Sequence, residues 1–510
     1  MAIVDATGSP FKVGNDMPSP YTAGGNGRRT RGWLAPGNGP NDSVTGNAQS
    51  LRNRSRQQYR NNGTARSIIN RLVSNLVGTG IKPRSLAENK SFQRKAQDLW
   101  DVWGKESDPE GALGIYGQQA QAVNCWLQAG ECFIRRRDRR EADGLSVPMQ
   151  VQVMEPELCP VHYNTMNGGN PVRAGIEYNR LGQRVAYWMY KSHPGDMALL
   201  NADSTQLRRV PADQIIHLYD PIRPGQSRGV PHLSAVLMRM HDVDDYDDAT
   251  LMRQKIANLF AGFITSPAAG ETGLGNLANS QGEEGEDAPE VGLESGLMQE
   301  LGEGEDVKFS DPPDAGSTYS EFLTWQYRMA TAGSDMPYEI ATGDYSNLND
   351  RTARFMFLQF KRFVQQKQEH LISHQFGHRL WSDWWVPRAV LSGALTAQGY
   401  ANNPRKYTKV QQVPQRFEHL HPLQDAQAAE KWMRLGVRTR GQTVAENNNL
   451  DIETFNEQAA AENEQADELG LVFDSDPRKR DASGKVVGSP ESNNEVVEDG
   501  PTNPDSESAG

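Results

Sequence analysis

Residues 233–264, LSAVLMRMHDVDDYDDATLMRQKIANLFAGFI, read as one helix, and the segments on its C-terminal side decide the fold. The next segment, 265–318, is a long acidic, glycine-rich insertion, and residues 319–335 return to a helical pattern. A loop containing Pro, Gly and Asn covers 336–350, and a very long helical segment starts near Arg351. Helix, excursion, helix, loop and long helix is an unusual plan for an enzyme. It suits a subunit that threads helices around an axis and projects parts up and down it.

At 510 residues the chain can bury several cores and should form more than one domain. Its hydrophobic fraction of 36% fits a chain with long polar segments. No apolar run approaches the roughly 18 to 20 residues needed to span a bilayer, so no membrane partner is expected. Residues 1–10 lack the basic-then-apolar pattern of a secretory signal, which makes synthesis in a cytoplasm the expectation. Cys125, Cys132 and Cys159 never form CxxC and read as small buried apolar groups.

Charge is unevenly placed, and that matters more than the net of -12. The first seventy or so residues are basic: Arg28, Arg29, Arg31, Arg52, Arg54, Arg56, Arg60, Arg66 and Arg71 face only Asp5, Asp16 and Asp42. The insertion is acidic, with Glu283, Glu284, Glu286, Asp287 and Glu290 at its centre, and the C-terminal tail is acidic too. Gripping duplex DNA needs Lys and Arg to displace counterions, whereas an acidic surface limits sticking.

The pattern along the chain is α+β. Residues 1–48 are Gly/Asn/Pro/Ser-rich and look like a flexible arm. Helices are predicted at 50–77, 92–103 and 117–128, with Gly78, Gly80 and Gly130 as stops. Strands are predicted at 131–137, 149–154, 175–178, 184–190 and 210–218, two of them forming a hairpin around residues 179–182. Beyond Leu471 the composition predicts disorder.

The chemistry favours a non-enzyme with no cofactor. There is no GxxxxGK[ST] to cradle phosphates and no HExxH. The formal GxSxG at Gly225–Gly229 is separated by Pro221 and Pro224 from the strand before it. Ser227 therefore reads as a loop serine, not a nucleophile. The run from His241 to Asp248 packs five carboxylates into seven residues. On a helix these spread around the axis rather than converging on a metal, and the EF-hand template fails at Tyr246. His370, His374 and His378 stand at i, i+4 and i+8, on an apolar stripe of Ala353, Phe357, Phe360, Val364 and Leu371. They read as core or interface histidines rather than zinc ligands. Trp381, Trp384 and Trp385 read as packing. The helix from Arg351 to Trp385 would run about 50 Å at about 1.5 Å per residue, with Asp350 as its cap. Such a shape leaves flanks that only neighbouring copies can cover.

Particular strings then resemble a known family. They are Gly130-Glu131-Cys132-Phe133, Gly175-Ile176-Glu177 with Tyr187, His193-Pro194-Gly195-Asp196, and Val210-Pro211-Ala212 with His217. The most specific is Arg223-Pro224-Gly225-Gln226-Ser227-Arg228-Gly229-Val230-Pro231. Met336-Pro337-Tyr338-Glu339, Thr342-Gly343-Asp344, His421-Pro422 and Gly436-Val437-Arg438-Thr439 complete the set. Together they resemble the lambda-type portal proteins of tailed bacteriophages, from about residue 50 to about 470. Residues 345–350 match the family's serine-rich version loosely, and Asn447-Asn448-Asn449 stands where the family usually has glycine.

The resemblance implies a ring, typically of twelve copies, at one capsid vertex in the virion, through which DNA is packaged and ejected. Residues 49–232 would be an α/β wing, 233–264 and 319–335 the stem helices, and 265–318 an acidic clip. Residues 336–350 would be the tunnel loop, 351–390 a long wing helix, 391–470 inner wing and helical crown, and 471–510 a disordered tail. Double-stranded DNA would pass Tyr338, Ser346, Asn347, Asn349, Arg351 and Arg354. The clip acids would dock a terminase motor and then a head-completion protein, with major capsid and scaffolding proteins as further partners. A carboxylate-metal nuclease, or another minor capsid or tail component, is the alternative.

Overall fold

A computed structural model describes residues 35–196, 206–259, 263–265, 306–308, 319–415, 422–448 and 452–471. The arm up to residue 34, most of the acidic insertion and the tail beyond 471 lie outside the described residues. The chain divides into two compact units, 1–415 and 416–510.

The first unit is mixed helix and sheet. Short helix α1, Pro40–Thr45, leads into α2, Ala48–Asn61, and α3, Gly63–Leu76. Part of the expected arm is therefore structured: the Asn38 carbonyl accepts from Arg223, and Asn41 donates to the Gly225 carbonyl. The single helix expected over 50–77 is two. Asn62 leaves helical geometry with φ -104 and ψ 120, and its side chain caps α3 by accepting from Ala65 N–H at 2.7 Å. α3 buries Ala65, Ile68, Ile69, Leu72 and Leu76, a helical spacing that makes one solid apolar face.

β1, Lys82–Ser85, precedes α4, Lys90–Glu106, and α5, Ile115–Ala129. Gly130 ends α5 at φ +90, and a Cβ there would meet Val230 backbone at 2.5 Å, so only glycine fits. The strands come next: β2, Glu131–Asp138; β3, Met149–Met154; β4, Thr165–Asn167; β5, Asn170–Arg173; β6, Ile176–Tyr178; β7, Arg184–Met189; β8, Arg208–Pro211; and β9, Ile215–Tyr219. They make a three-stranded sheet ordered β3-β2-β9 and a five-stranded sheet ordered β4-β5-β6-β7-β8. The single strand expected over 210–218 is thus two strands in different sheets. Pro211 has no N–H to extend a ladder, and a 3-10 turn at Ala212–Gln214 carries the chain across. Phe133, Ile176, Tyr187, Met189, Val210 and Ile215 form the core between the sheets.

Helix α6, Leu237–Leu259, ends in β10, Phe263–Thr265; β11, Asp306–Lys308, precedes α7, Tyr319–Ala332. α8, Tyr338–Thr342, lies in the loop after α7, and α9 spans Asp350–Lys367. The cap of α9 is Asn349 rather than Asp350; it accepts from Thr352 N–H at 2.9 Å.

The long helix changes winding. Gln368–Trp385 is a π-helix, and α10, Val386–Leu391, continues it. Its buried residues, Leu371 and Ile372, Phe376, Leu380 and Trp381, then Trp384 and Trp385, recur every four to five positions. The wider i→i+5 winding keeps that pattern on one side, whereas 3.6 per turn would not. A wider winding rises less per residue, so the segment is shorter than the expected single α-helix. The buried stripe passes through Gln368, not the histidines: His370 and His374 are exposed and His378 is half-buried. Gln368 donates to the Asn75 and Leu76 carbonyls at 3.2 and 3.0 Å, satisfying groups left open at the end of α3. Lys367, which interrupts the stripe, pairs with Asp220. Trp381 and Trp385 pack on Trp100 at 5.2 and 5.1 Å between ring centroids, one ring tilted and the other edge-on, in an aromatic core. α11, Arg405–Thr408, and β12, Val410–Val413, complete the unit; β12 pairs antiparallel with β1.

The second unit holds α12, Pro422–Arg434, α13, Arg440–Asn448, and α14, Ile452–Glu468. Thr439 and Gln442 cap α13 reciprocally: Gln442 N–H donates to Thr439 Oγ1 at 3.1 Å, and Thr439 N–H to Gln442 Oε1 at 3.0 Å.

Candidate functional site

The pair α6 and α7 is antiparallel. Arg239 bonds Gln326 at one end, and the Tyr319 hydroxyl donates to Asp247 at the other. Between them the Tyr246 ring lies 4.8 Å from Phe322. The bond to Asp247 pushes the Tyr319 phenol up to about 12. β10 and β11 are hydrogen-bonded antiparallel, so residues 263–265 and 306–308 of the insertion region lie side by side. At the other end, half-buried His232 sits 2.8 Å from the Ser334 carbonyl. Burial lowers its pKa, so the neutral ring donates through Nε2.

The aspartates of α6 do not converge. Asp242, Asp245, Asp247 and Asp248 are exposed, and Asp244 accepts from Asn62 Nδ2 at 2.7 Å. Among the described residues, one His/Glu group is close enough to hold a metal: Glu155, Glu157 and His193. There the Arg56 guanidinium already bridges both carboxylates, at 3.0 Å to Glu155 and 2.7 Å to Glu157, where a cation would sit. The GxSxG serine is likewise accounted for. Ser227 Oγ donates to Asn41 Oδ1 at 2.7 Å.

The loop between α7 and α9 has two halves. The first is docked: Met336 and Ala341 are buried, and Ser67 Oγ donates to the Ala341 carbonyl at 2.6 Å. Tyr338 is half-buried, with the Arg328 guanidinium 5.3 Å from its ring. The second half is open. Gly343 turns the chain at φ +78, and Ser346, Asn347, Asn349 and Arg351 are all exposed. It is organised by Asp344, which accepts from Ser346 N–H at 3.1 Å and Ser346 Oγ at 2.6 Å. Those bonds lower the Asp344 pKa. Tyr338 reaches the same carboxylate at 3.3 Å. The structure thus brings Tyr338 and Ser346 together through Asp344, and sets Asn349 at the cap of α9 with Arg351 and half-buried Arg354 in its first two turns. A cavity of about 480 Å³ opens beside the docked half, lined by Arg328, Asp335, Tyr338, Glu339, Met356 and Phe360 among others. The acids Glu283, Glu284, Glu286, Asp287 and Glu290 lie outside the described residues.

A buried charge network, which the spacing of residues did not reveal, joins α2 and the loop holding Arg228 and Gly229 to the three-stranded sheet. Arg228 Nη2 and Arg52 Nη2 reach Glu131 Oε1 at 2.6 and 3.1 Å, and His217 Nε2 is 3.0 Å from Oε2. Gly229 N–H donates to the same Oε2 at 3.0 Å. Arg228 also donates to the carbonyls of Cys159 and Ala174 at 3.0 and 2.6 Å. Glu131 and Arg228 are wholly buried. Burial alone would raise the Glu131 pKa; Arg228 and His217 override it and hold the carboxyl well below its usual range. Burial pushes His217 down to about 4 against the pull of Glu131. Three of the family-like strings therefore meet at one carboxylate: Gly130–Phe133, the string holding Arg228 and Gly229, and the strand with His217.

A family model described as phage portal protein, lambda family, matches residues 26–368. The probable portal protein of Halomonas phage phiHAP-1 is 25% identical over 417 residues, 78% of this chain and 76% of that protein. Portal protein B of Escherichia phage lambda is 21% identical over 409 residues, 74% of this chain and 76% of that protein. Among solved structures, a chain from the neck of a native gene transfer agent particle is similar at 14% identity and TM-score 0.46. The match covers 78% of this chain and 92% of that one. This chain belongs to the lambda family of phage portal proteins.

Proposed function

We propose that copies of this subunit close into a ring of about twelve at one capsid vertex of a virion, a closed cyclic assembly around a DNA channel. The role is structural, and the energy for packaging comes from a separate terminase motor. The α+β domain over 49–232 is read as the wing, α6 and α7 as the stem, and 265–318 as the clip. Residues 336–350 are read as the tunnel loop, and the helices after 391 as inner wing and crown.

The observation that carries this reading is the antiparallel pair α6/α7 with β10 and β11 closing on each other. The chain thus returns at 306–308 beside its exit at 263–265, with about forty residues between, as a projection off a helical stem requires. Self-association is supported by large apolar side chains at helical spacing that stay substantially exposed among the described residues. Phe322, Trp325 and Met329 line α7, and Phe355 and Leu358 line α9; Trp325 is 62% and Phe355 66% exposed. A metal-nuclease reading finds, among the described residues, one convergent group, Glu155, Glu157 and His193, and there the Arg56 guanidinium already pairs with both carboxylates.

Negative-stain microscopy of the purified protein tests the ring directly; closed rings are expected, and a stable monomer at micromolar concentration would overturn it. ATP hydrolysis without added motor would count against the structural role. Deleting residues 282–290 should spare the ring and weaken docking of the motor or the head-completion protein. Unchanged binding of both would sink the clip assignment.

A further inference from the structure

Strand β2 carries arginines on both faces, and the two faces are treated oppositely. On one face Arg136 is neutralised: its Nε lies 3.2 Å from Asp138, its Nη2 4.0 Å from Asp213, and its guanidinium 6.0 Å from the Trp384 ring. On the other face Arg135 and Arg137 continue the line of Phe133, and Arg139 comes just past the strand. None of these three has a carboxylate partner among the described residues. Arg137 Nε donates to Gln152 Oε1 at 2.8 Å, and Arg139 Nε to Gln150 Oε1 at 2.8 Å. Arg135 Nε is buried and makes no hydrogen bond. At the end of the hairpin, Arg388 donates to the Pro148 and Arg139 carbonyls at 3.1 and 2.8 Å and ties α10 to it.

Cations gathered this way repel one another. Burial, then Arg135 and Arg139, push Arg137 down to about 10, and burial with Arg208 lowers Arg135. A fold gains nothing from such a row by itself. The neutral glutamines orient the guanidiniums without discharging them. Alternate strand residues recur about every 6.6 Å, so the row offers a periodic set of forked donors. A repeating polyanion fits that better than a single carboxylate.

We propose that Arg135, Arg137 and Arg139 form an anion-binding strip on the sheet domain that holds the phosphate backbone of duplex DNA, without reading sequence, outside the channel. Phosphate contacts of this kind position DNA and carry no base specificity. The inference is independent of the tunnel-loop assignment, because the strip lies on β2 and its neighbours, not on residues 336–354.

The test uses the assembled full-length protein and covalently closed circular duplex DNA, which cannot thread a closed ring. Binding is read by filter retention between 50 and 200 mM salt. The wild type should bind, and the triple variant Arg135→Gln, Arg137→Gln, Arg139→Gln should bind at least tenfold more weakly at 100 mM salt. Its log–log salt slope should be shallower by about 2 to 3, since each lost phosphate contact removes about 0.9. Arg136→Gln is the matched control on the opposite face and should leave both quantities unchanged. Melting curves and microscopy check that the triple variant still folds and assembles. Equal affinity and slope in triple variant and wild type would overturn the inference. So would binding of linear but not circular DNA, which would leave the channel reading intact. Binding of a polyglutamate peptide, but no DNA, to the same arginines would overturn it too, in favour of an acidic protein partner.

Discussion

The Glu131 network and the open half of the 336–350 loop use polar groups in opposite ways. In the network every charge is buried and answered: one carboxylate takes Arg228, Arg52, His217 and the Gly229 N–H, and each arginine is spoken for. In the loop short side chains face solvent, and the bonds that exist, such as Asp344 to Ser346, shape the backbone. The first arrangement is rigid because breaking any piece leaves a charge without water. The second can change partners at little cost. An interior that ties α2 and the Arg228–Gly229 loop to the sheet suits the first. A surface that something slides past suits the second. The difference can be broken or sharpened by substitution.

The largest effect should come from Arg228→Met. It leaves Glu131 buried beside an unfilled space, and removal of one member of a buried pair costs about 3 to 5 kcal/mol. Chemical denaturation should show that loss; a change below about 1 kcal/mol would mean that the network holds little. Adding Glu131→Gln should recover part of it, because the stranded charge goes too.

The next effect is a pH dependence. His217 is held down to about 4 in the fold, against 6.5 in the unfolded chain. Between those values the unfolded chain binds a proton that the folded one refuses. Stability from this group is therefore full above pH 6.5 and is lost as pH falls toward 4, by roughly 1 to 3 kcal/mol. His217→Asn should flatten the stability–pH curve across that window, whatever it does to the plateau. An unchanged slope would show that His217 does not carry it.

Much of this contrast is legible in the sequence, and the illegible parts have physical reasons. The helix–excursion–helix order comes from periodicity and composition, and the loop's exposed polar residues come from their type. The partners of Glu131 are hidden, because Arg52, His217 and Arg228 are far apart along the chain and only folding brings them together. Gly130, whose Cβ would strike Val230, is the visible trace of that closeness. The split at Asn62 is hidden because Asn is tolerated in helices, and its capping role depends on one backbone angle. The π-winding is hidden because an apolar period of four to five is easily read as 3.6 with errors. The same misreading puts the histidines at i, i+4 and i+8 on the buried stripe.

A smaller effect is expected at the join of loop and helix. Asn349 accepts from Thr352 N–H, so Asn349→Ala should cost about 1 kcal/mol, as loss of a helix cap does. Asn349→Asp keeps the acceptor and should restore that stability. Thermal melts of both variants separate the cap from any contact that Asn349 makes with DNA. If alanine and aspartate variants melt alike, the cap contributes nothing.

The smallest effect on stability, and the most telling, belongs to Asn347. Its side chain is exposed, and among the described residues no hydrogen bond is made by it. Asn347→Trp should therefore shift stability by no more than about 0.5 kcal/mol, the usual range for a surface change. A neutral amide can touch a passing phosphate without holding it, since charge-assisted bonds are about twice as strong. A bulky indole in its place would narrow the path and offer a flat surface for stacking. If the loop faces the channel, rings of this variant should assemble normally yet package or retain less DNA. Assembly and packaging assays on one preparation decide the matter. Normal packaging by intact Asn347→Trp rings would place residue 347 off the DNA path, and the contrast between locked interior and open loop would lose its functional meaning.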